Sequence, residues 1–304
     1  MKTRGFEPPS RSPIEALSLV LGSVDALRNL RALYLLLFTF ALAGLFTAMA
    51  QASFVRGGLW GPMQAAAALF VAFYGGNAAG ILVMDEARGF EVREVGEAVR
   101  VSLLTAHRLL LAMLLIALSY AALGAALLAI MWLCRPGVTG PLLGAWLFGV
   151  AVPLGVVCVG VALLAWIAVV VPLAAPAVWA GAGVLTVVRQ LWHWMRHRLL
   201  TVALLMALVS LLTAGVGALV SFVVVAGGRV VSEIGVRVVG IDVPAQDLMR
   251  GLFGYGARTA ASSGHVSAAL VGGGIVFALA LVLPGLIYLR GTCSVYLALC
   301  EDPR

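Results

Sequence analysis

Charge is what this chain has least of. Asp, Glu, Lys and Arg make up 11% of its 304 residues, against near a quarter in soluble domains, so water is not the main solvent of most of it. Four cysteines, Cys134, Cys158, Cys293 and Cys300, lie scattered; they form neither a disulfide framework nor a close-spaced zinc motif. Carboxylates are scarce, and no charged catalytic pair, nucleotide-binding loop or nucleophile elbow occurs. His265 beside Ser262 and Ser263 is not a triad by residue type alone, since an orienting acid at suitable distance is also required. The uncharged runs far exceed the roughly 10 residues of a membrane strand, which makes a barrel a poor alternative.

Apolar sequence fills the space. Mean hydropathy is +1.08, and several uncharged runs exceed the roughly 20 residues that a helix needs to cross about 30 Å of hydrocarbon. The net charge of +7 collects at the ends of these runs instead of forming a stripe, which points to anionic headgroups and not to nucleic acid. The fold class expected is all-α: a polytopic membrane protein of six transmembrane helices. The crossings are Ala32–Val55, Gly57–Met84, Leu109–Leu133, Leu142–Val171, Leu199–Gly228 and Val266–Leu289.

Three charged, amphipathic segments are expected to lie on the cytoplasmic face of the membrane. Residues 1–11 form a basic tail. Ser12-Pro13-Ile14-Glu15 is then a helix start with a cap, a proline at the first helical position and a glutamate three residues on. Ile14, Leu17, Leu21, Val24 and Leu27 continue it with one apolar stripe. With acidic Glu15 and Asp25 inside it, this segment does not read as a signal peptide. The second segment runs from Glu91 to Arg108, with Arg93 placed to pair with Glu97, and turns at His107-Arg108 into the third crossing. Pro136–Val188 holds no formal charge and would measure roughly 80 Å as continuous helix. It reads as one crossing, kinked near Pro153 and ended by Pro172 and Pro176, followed by a third surface helix through Val184, Val188, Leu191 and Met195.

Aligned on Arg31, Arg108 and Arg198, the three segments suggest a threefold pseudo-repeat of surface helix plus helical hairpin within a single membrane domain, 1–304. The units are 12–84, 90–171 and 177–290. The last includes an external loop, 229–265, in which Asp242 and Pro244 start a short surface helix; residues 291–304 make a C-terminal tail. The excess of Lys and Arg places both termini in the cytoplasm.

Gly75, Gly76 and Gly80 read as a helix-packing face, with a substrate path through Asn77 as the alternative. Arg31, Arg108, Trp192, Trp194, Arg196 and Arg198 read as interfacial anchors, because indole prefers the headgroup region and arginine snorkels to it. His193 and His197, one turn apart, are weak candidates for a cofactor or haem, and His107 joins them only if its repeat packs against theirs. No metal site is expected. Asp85 and Glu86 read as solvated groups at the mouth of the second crossing. No ionisable group falls at the centre of a crossing, which counts against a proton-coupled carrier.

Gly75-Gly76-Asn77-Ala78-Ala79-Gly80-Ile81, followed by Asp85-Glu86-Ala87-Arg88 and the Glu97-Ala98 helix, resembles uncharacterised multi-spanning bacterial inner-membrane proteins. These carry a glycine pair, a charged turn and then an interfacial helix. The end, Ser294-Val295-Tyr296-Leu297-Ala298-Leu299 before Glu301-Asp302, is similar to theirs. The resemblance implies a multi-pass protein of the bacterial plasma membrane and carries no activity with it. The expected role is a noncatalytic integral subunit or scaffold with bound phospholipid and an integral membrane protein as partner. The alternatives are a transporter or lipid-handling permease and, more weakly, a pigment, quinone or haem subunit.

Overall fold

The computed structural model describes residues 29–54, 58–239 and 264–301. Its elements are helical: α1 Leu30–Phe54, α2 Trp60–Ala87, α3 Val95–Leu133, the single turn α4 Pro136–Thr139, α5 Pro141–Ala165, a π-turn Trp166–Val170, α6 Val171–Trp179, α7 Val184–His197, α8 Leu199–Val239 and α9 Gly264–Glu301. Six stretches among the described residues are long and apolar enough to cross a membrane: Leu30–Thr47, Trp60–Ala87, Val95–Leu133, Pro141–Trp179, Leu199–Gly235 and Ala280–Cys300. The chain is a helical, multi-pass membrane protein. The basic tail, the expected helix from Ile14 to Leu27 and the one beginning at Asp242 lie outside the described residues.

The described residues form two compact units. One takes residues up to 102 together with 209–294; the other takes 103–208 and the last turns of α9 from Val295. In the first, α1 and α2 form a closely packed hairpin. A Cβ at Gly75 would overlap the side chain of Thr39, and one at Gly291 would meet Val209 Cγ1 at 2.6 Å. Glycine at these two positions lets backbones approach without a hydrophobic driving force between helices. Asn29 begins α1: its Oδ1 accepts from the amide of Ala32 at 3.0 Å, satisfying one of the orphan donors of the first turn.

Glycine ends two helices by the same geometry. At the end of α2, Gly89 has φ +71°, the Gly89 amide donates to Glu86 O and the Phe90 amide to Asp85 O. At the end of α6, Gly181 has φ +91°, with Gly181 donating to Val178 O and Ala182 to Ala177 O. Each is a paired 5→2 and 6→1 closure that only a left-handed residue permits. Gly181 is therefore the stop after the fourth crossing, whereas Pro172 and Pro176 were expected to be. Both prolines lie past the π-turn within α6, Pro172 in its first turn, where a proline is tolerated, and Pro176 in its interior. Pro136–Val188 thus holds one crossing and the start of an amphipathic helix.

In the second unit, Gly155 faces Met131 and Leu127 at 3.8 and 3.9 Å, so α5 folds back against α3. The expected turn at His107-Arg108 is absent. The helix α3 runs unbroken from Val95 to Leu133, because no proline, and no glycine except Gly124 inside the apolar run, interrupts Glu97–Cys134. At the corresponding position after α7 there is a break: Arg198 adopts φ −135°, ψ 20°. The two described junctions of the expected repeat therefore differ. Two further boundaries shift as well. The helix α8 continues to Val239, past the expected loop start at 229, and α9 continues to Glu301 through the expected tail.

Candidate functional site

Two polar constellations are positioned by these helices, one in each unit. The first ties the end of α2 to its neighbours. Asn29, having capped α1, turns its Nδ2 to Glu86 Oε2 at 2.7 Å. Arg31 donates to the carbonyls of Val92 and Arg93 at 2.6 and 3.2 Å, holding the turn that follows Gly89. Arg93 Nε lies 3.2 Å from Asp85 Oδ2, and Ser102 Oγ donates to Tyr74 O at 2.7 Å. Arg290 of α9 reaches Val83 O at 3.4 Å, a cation placed at the negative end of the α2 dipole.

The expected solvation of Asp85 does not hold: it is 4% exposed. Its Oδ2 has no aligned hydrogen bond, so the contact with Arg93 is ionic and not a directed hydrogen bond. Nor does Arg93 pair with Glu97, since the helix begins only at Val95 and Arg93 precedes it. Asn77, the expected alternative path residue, donates through Nδ2 to the carbonyl of Phe73 at 2.8 Å, one turn back on its own helix. Gly76 faces open space, while Gly75 lies against Thr39 and Gly80 is buried. Chemically, this constellation fastens helices together.

The second constellation is built on α7. Val187, Leu191 and Trp194 are its buried face, rotated by one position from the expected stripe but sharing Leu191. Trp194 is 5% exposed and stands edge-on to Tyr296, with ring centroids 5.7 Å apart. Trp192, at 46% exposure, has Arg196 stacked over it at 5.0 Å. The two tryptophans expected to anchor together thus have separate environments. His193 and His197 lie 4.8 Å apart between centroids, and His107 and Arg108 lie on the continuous helix α3. No group of three or more His, Cys, Asp or Glu suited to a metal occurs among the described residues.

Beside α7 is a cleft of about 360 Å³, lined by Arg189, Gln190, His193, Trp194 and Arg198 with Leu299 and Cys300 from the end of α9. Sequence reasoning singled out His193 and Arg198 but missed Arg189 and Gln190. The signal for Arg189 was spacing: 189, 193 and 197 recur at one helical turn on the polar side of an amphipathic segment.

Further along the same unit, the π-turn takes a side-chain contact. Tyr120 of α3 donates its hydroxyl to Ala162 O at 3.0 Å and packs edge-on against Trp166 at 5.1 Å, so the widened turn is held from outside by one tyrosine. No protein-family model, no curated protein and no solved structure matches this chain.

Proposed function

We propose that this chain is a noncatalytic subunit of a larger assembly in a bacterial inner membrane, with both termini cytoplasmic, and that a partner integral protein packs against α5. The observation that carries this reading is the condition of that helix. From Pro141 to Ala165 only Gly144, Gly155 and Ala165 are buried, and large apolar side chains such as Leu143, Trp146, Phe148 and Val156 are exposed around its circumference. Lipid alone would satisfy those side chains. It gives no reason for Gly149 and Gly160, which face nothing within 4 Å and lie about three turns apart on one side. Glycine within a helix costs about 1 kcal/mol relative to alanine, and in a membrane it is typical where a second helix comes close.

A photoreactive residue at exposed Val156, on the glycine side, is expected to give one stoichiometric adduct with an integral membrane protein in native membranes. The same group at Leu147, on the opposite side, is expected to label lipid. Gly149→Leu with Gly160→Leu should abolish the adduct without loss of fold, since both positions have room. Lipid labelling alone from Val156 would overturn the reading, and an adduct of two copies of this chain would replace the partner by self-association.

A permease is the second reading, favoured by the π-turn at Trp166–Val170 between Pro153 and Pro172. Widened turns of this kind recur at functional sites and at helices that change shape. Uptake of a lipid or apolar solute by vesicles containing only this chain, lost on Tyr120→Phe, would select it over the subunit reading.

A further inference from the structure

We propose that Met195 is an oxidation site and that its sulfoxide releases the π-turn at Trp166–Val170. Tyr120 is the link between the two. Its hydroxyl lies 3.0 Å from Ala162 O and 3.7 Å from Met195 Sδ, yet a phenol has a single hydrogen to donate. A carbonyl oxygen is a strong acceptor and a thioether sulfur a weak one, so in the reduced protein the hydrogen goes to Ala162. Met195 then stands beside it as the weaker of two competing acceptors.

The carbonyl that takes the hydrogen is at the start of the widened turn. Ala162 O also accepts from the Trp166 amide, which is shared with Leu163 O, and the Val171 amide reaches five residues back to Trp166 O. Such turns are rare, because the ordinary helical ladder competes with them. Tyr120 supports this one twice, by the bond to Ala162 O and by the edge-on contact with Trp166. Since Tyr120, Ala162 and Met195 belong to α3, α5 and α7, one phenolic hydrogen connects three helices.

Oxidation reverses the ranking of the two acceptors. With hydrogen peroxide as the oxidant, a sulfur lone pair bonds to one peroxide oxygen and the O–O bond breaks. The other oxygen leaves with both hydrogens as water, so sulfur loses two electrons, the peroxide gains them and no net proton is exchanged. The product is a polar sulfoxide, whose oxygen is attached to a sulfur already within reach of the Tyr120 hydroxyl and accepts the hydrogen that Ala162 held. Access favours Met195. It is only partly buried and lies near the basic end of an amphipathic helix, the arrangement of a helix at the border between hydrocarbon and headgroups, whereas Met84 and Met206 are 0% and 4% exposed. The inference holds for a subunit and for a permease alike.

The full chain in lipid nanodiscs, treated with hydrogen peroxide and read peptide by peptide by mass spectrometry, tests both halves. Met195 is expected to gain one oxygen at a dose that leaves Met84 and Met206 intact, and amides 166–171 should then exchange roughly tenfold faster, the effect of one lost hydrogen bond. Methionine sulfoxide reductase should restore the slow rate. Met195→Leu, a swap of similar volume, should exchange slowly before and after peroxide. Tyr120→Phe should exchange fast from the outset and gain nothing on oxidation. A Met195 that stays reduced at a dose converting exposed Met63 overturns the proposal. So does complete oxidation of Met195 with unchanged exchange at 166–171, an equal response to peroxide in Met195→Leu, or a Tyr120→Phe variant that exchanges as slowly as the original chain.

Discussion

Arg93 Nε sits 3.2 Å from Asp85 Oδ2, across the turn that joins α2 to α3. The two side chains differ in their access to water, 37% exposed for Arg93 and 6% for Asp85, so the carboxylate depends on the guanidinium more than the reverse. Breaking a fully buried pair costs about 3–5 kcal/mol; with Arg93 partly in solvent, Arg93→Ala should cost about 1–2 kcal/mol. Asp85→Asn, which removes the charge that needs a partner, should cost less. The double variant should fall short of the sum of the two, a coupling readable from unfolding in a denaturing detergent titration followed by tryptophan fluorescence. Strict additivity would show that the pair contributes nothing.

The glycine pair separates into two positions with opposite expectations. A Cβ at Gly75 overlaps Thr39, whereas one at Gly76 meets nothing within 4 Å. Gly75→Ala should destabilise by about 1–3 kcal/mol through overpacking. Gly76→Ala should be neutral or stabilising by up to about 1 kcal/mol, the helix-propensity gain. Thr39→Ala removes the atoms in the way and should recover part of the Gly75→Ala loss. Equal effects at both glycines would mean that α1 and α2 do not approach at Thr39.

How much of this was legible in the residues depends on what kind of signal each feature leaves. Apolar runs near 20 residues are set by bilayer thickness, and so six spans could be read, although the third begins at Val95 and not Leu109 and the fourth runs to Trp179 and not Val171. Gly75 could be read as a packing position because glycine in a membrane helix has few other reasons to be there. What could not be read was which partner a polar group finds. Asp85 at the end of a crossing has the sequence of a solvated carboxylate, and only the fold of residues 88–94 brings Arg93 onto it. Nothing in the sequence around Asn29 marks it as the donor to Glu86, a contact across 57 positions. The continuity of α3 was hidden for a different reason. A charged segment followed by an apolar one has the same composition whether the helix bends at the border or runs straight through it.

Trp194 and Trp192 were equivalent by composition and are not equivalent in the fold. Trp194 packs against Tyr296 in the interior, so Trp194→Ala should cost about 3–5 kcal/mol, the range for a large buried aromatic. Trp192 offers an exposed ring to Arg196, a contact of about 0.5–1 kcal/mol at such a site, and Trp192→Ala should cost no more than that. Melting temperatures of the two variants in the same detergent decide it. A larger loss at Trp192 would restore the headgroup-anchor role to that ring and remove the interior role from the other.

The two junctions between charged and apolar sequence should differ in hydrogen exchange. At Arg108 the helix α3 is continuous, so the amides of Arg108, Leu109 and Leu110 donate within the helix. At Arg198 the chain leaves helical geometry: the Arg198 amide closes α7 on Trp194 O, and the first bond of α8 runs from Val202 to Arg198 O. The amides of Leu199, Leu200 and Thr201 then occupy the first turn of a new helix, where intrahelical acceptors are missing. Both junctions carry His-Arg at the edge of an apolar run, so water reaches them under like conditions and the difference in exchange reports hydrogen bonding. Amides 199–201 should exchange at least tenfold faster than amides 108–110, measured peptide by peptide by mass spectrometry on the chain in lipid nanodiscs. Matching rates fast at both sites would mean that α3 bends at Arg108 as α7 and α8 do at Arg198, and the surface-helix repeat would then regain its second copy.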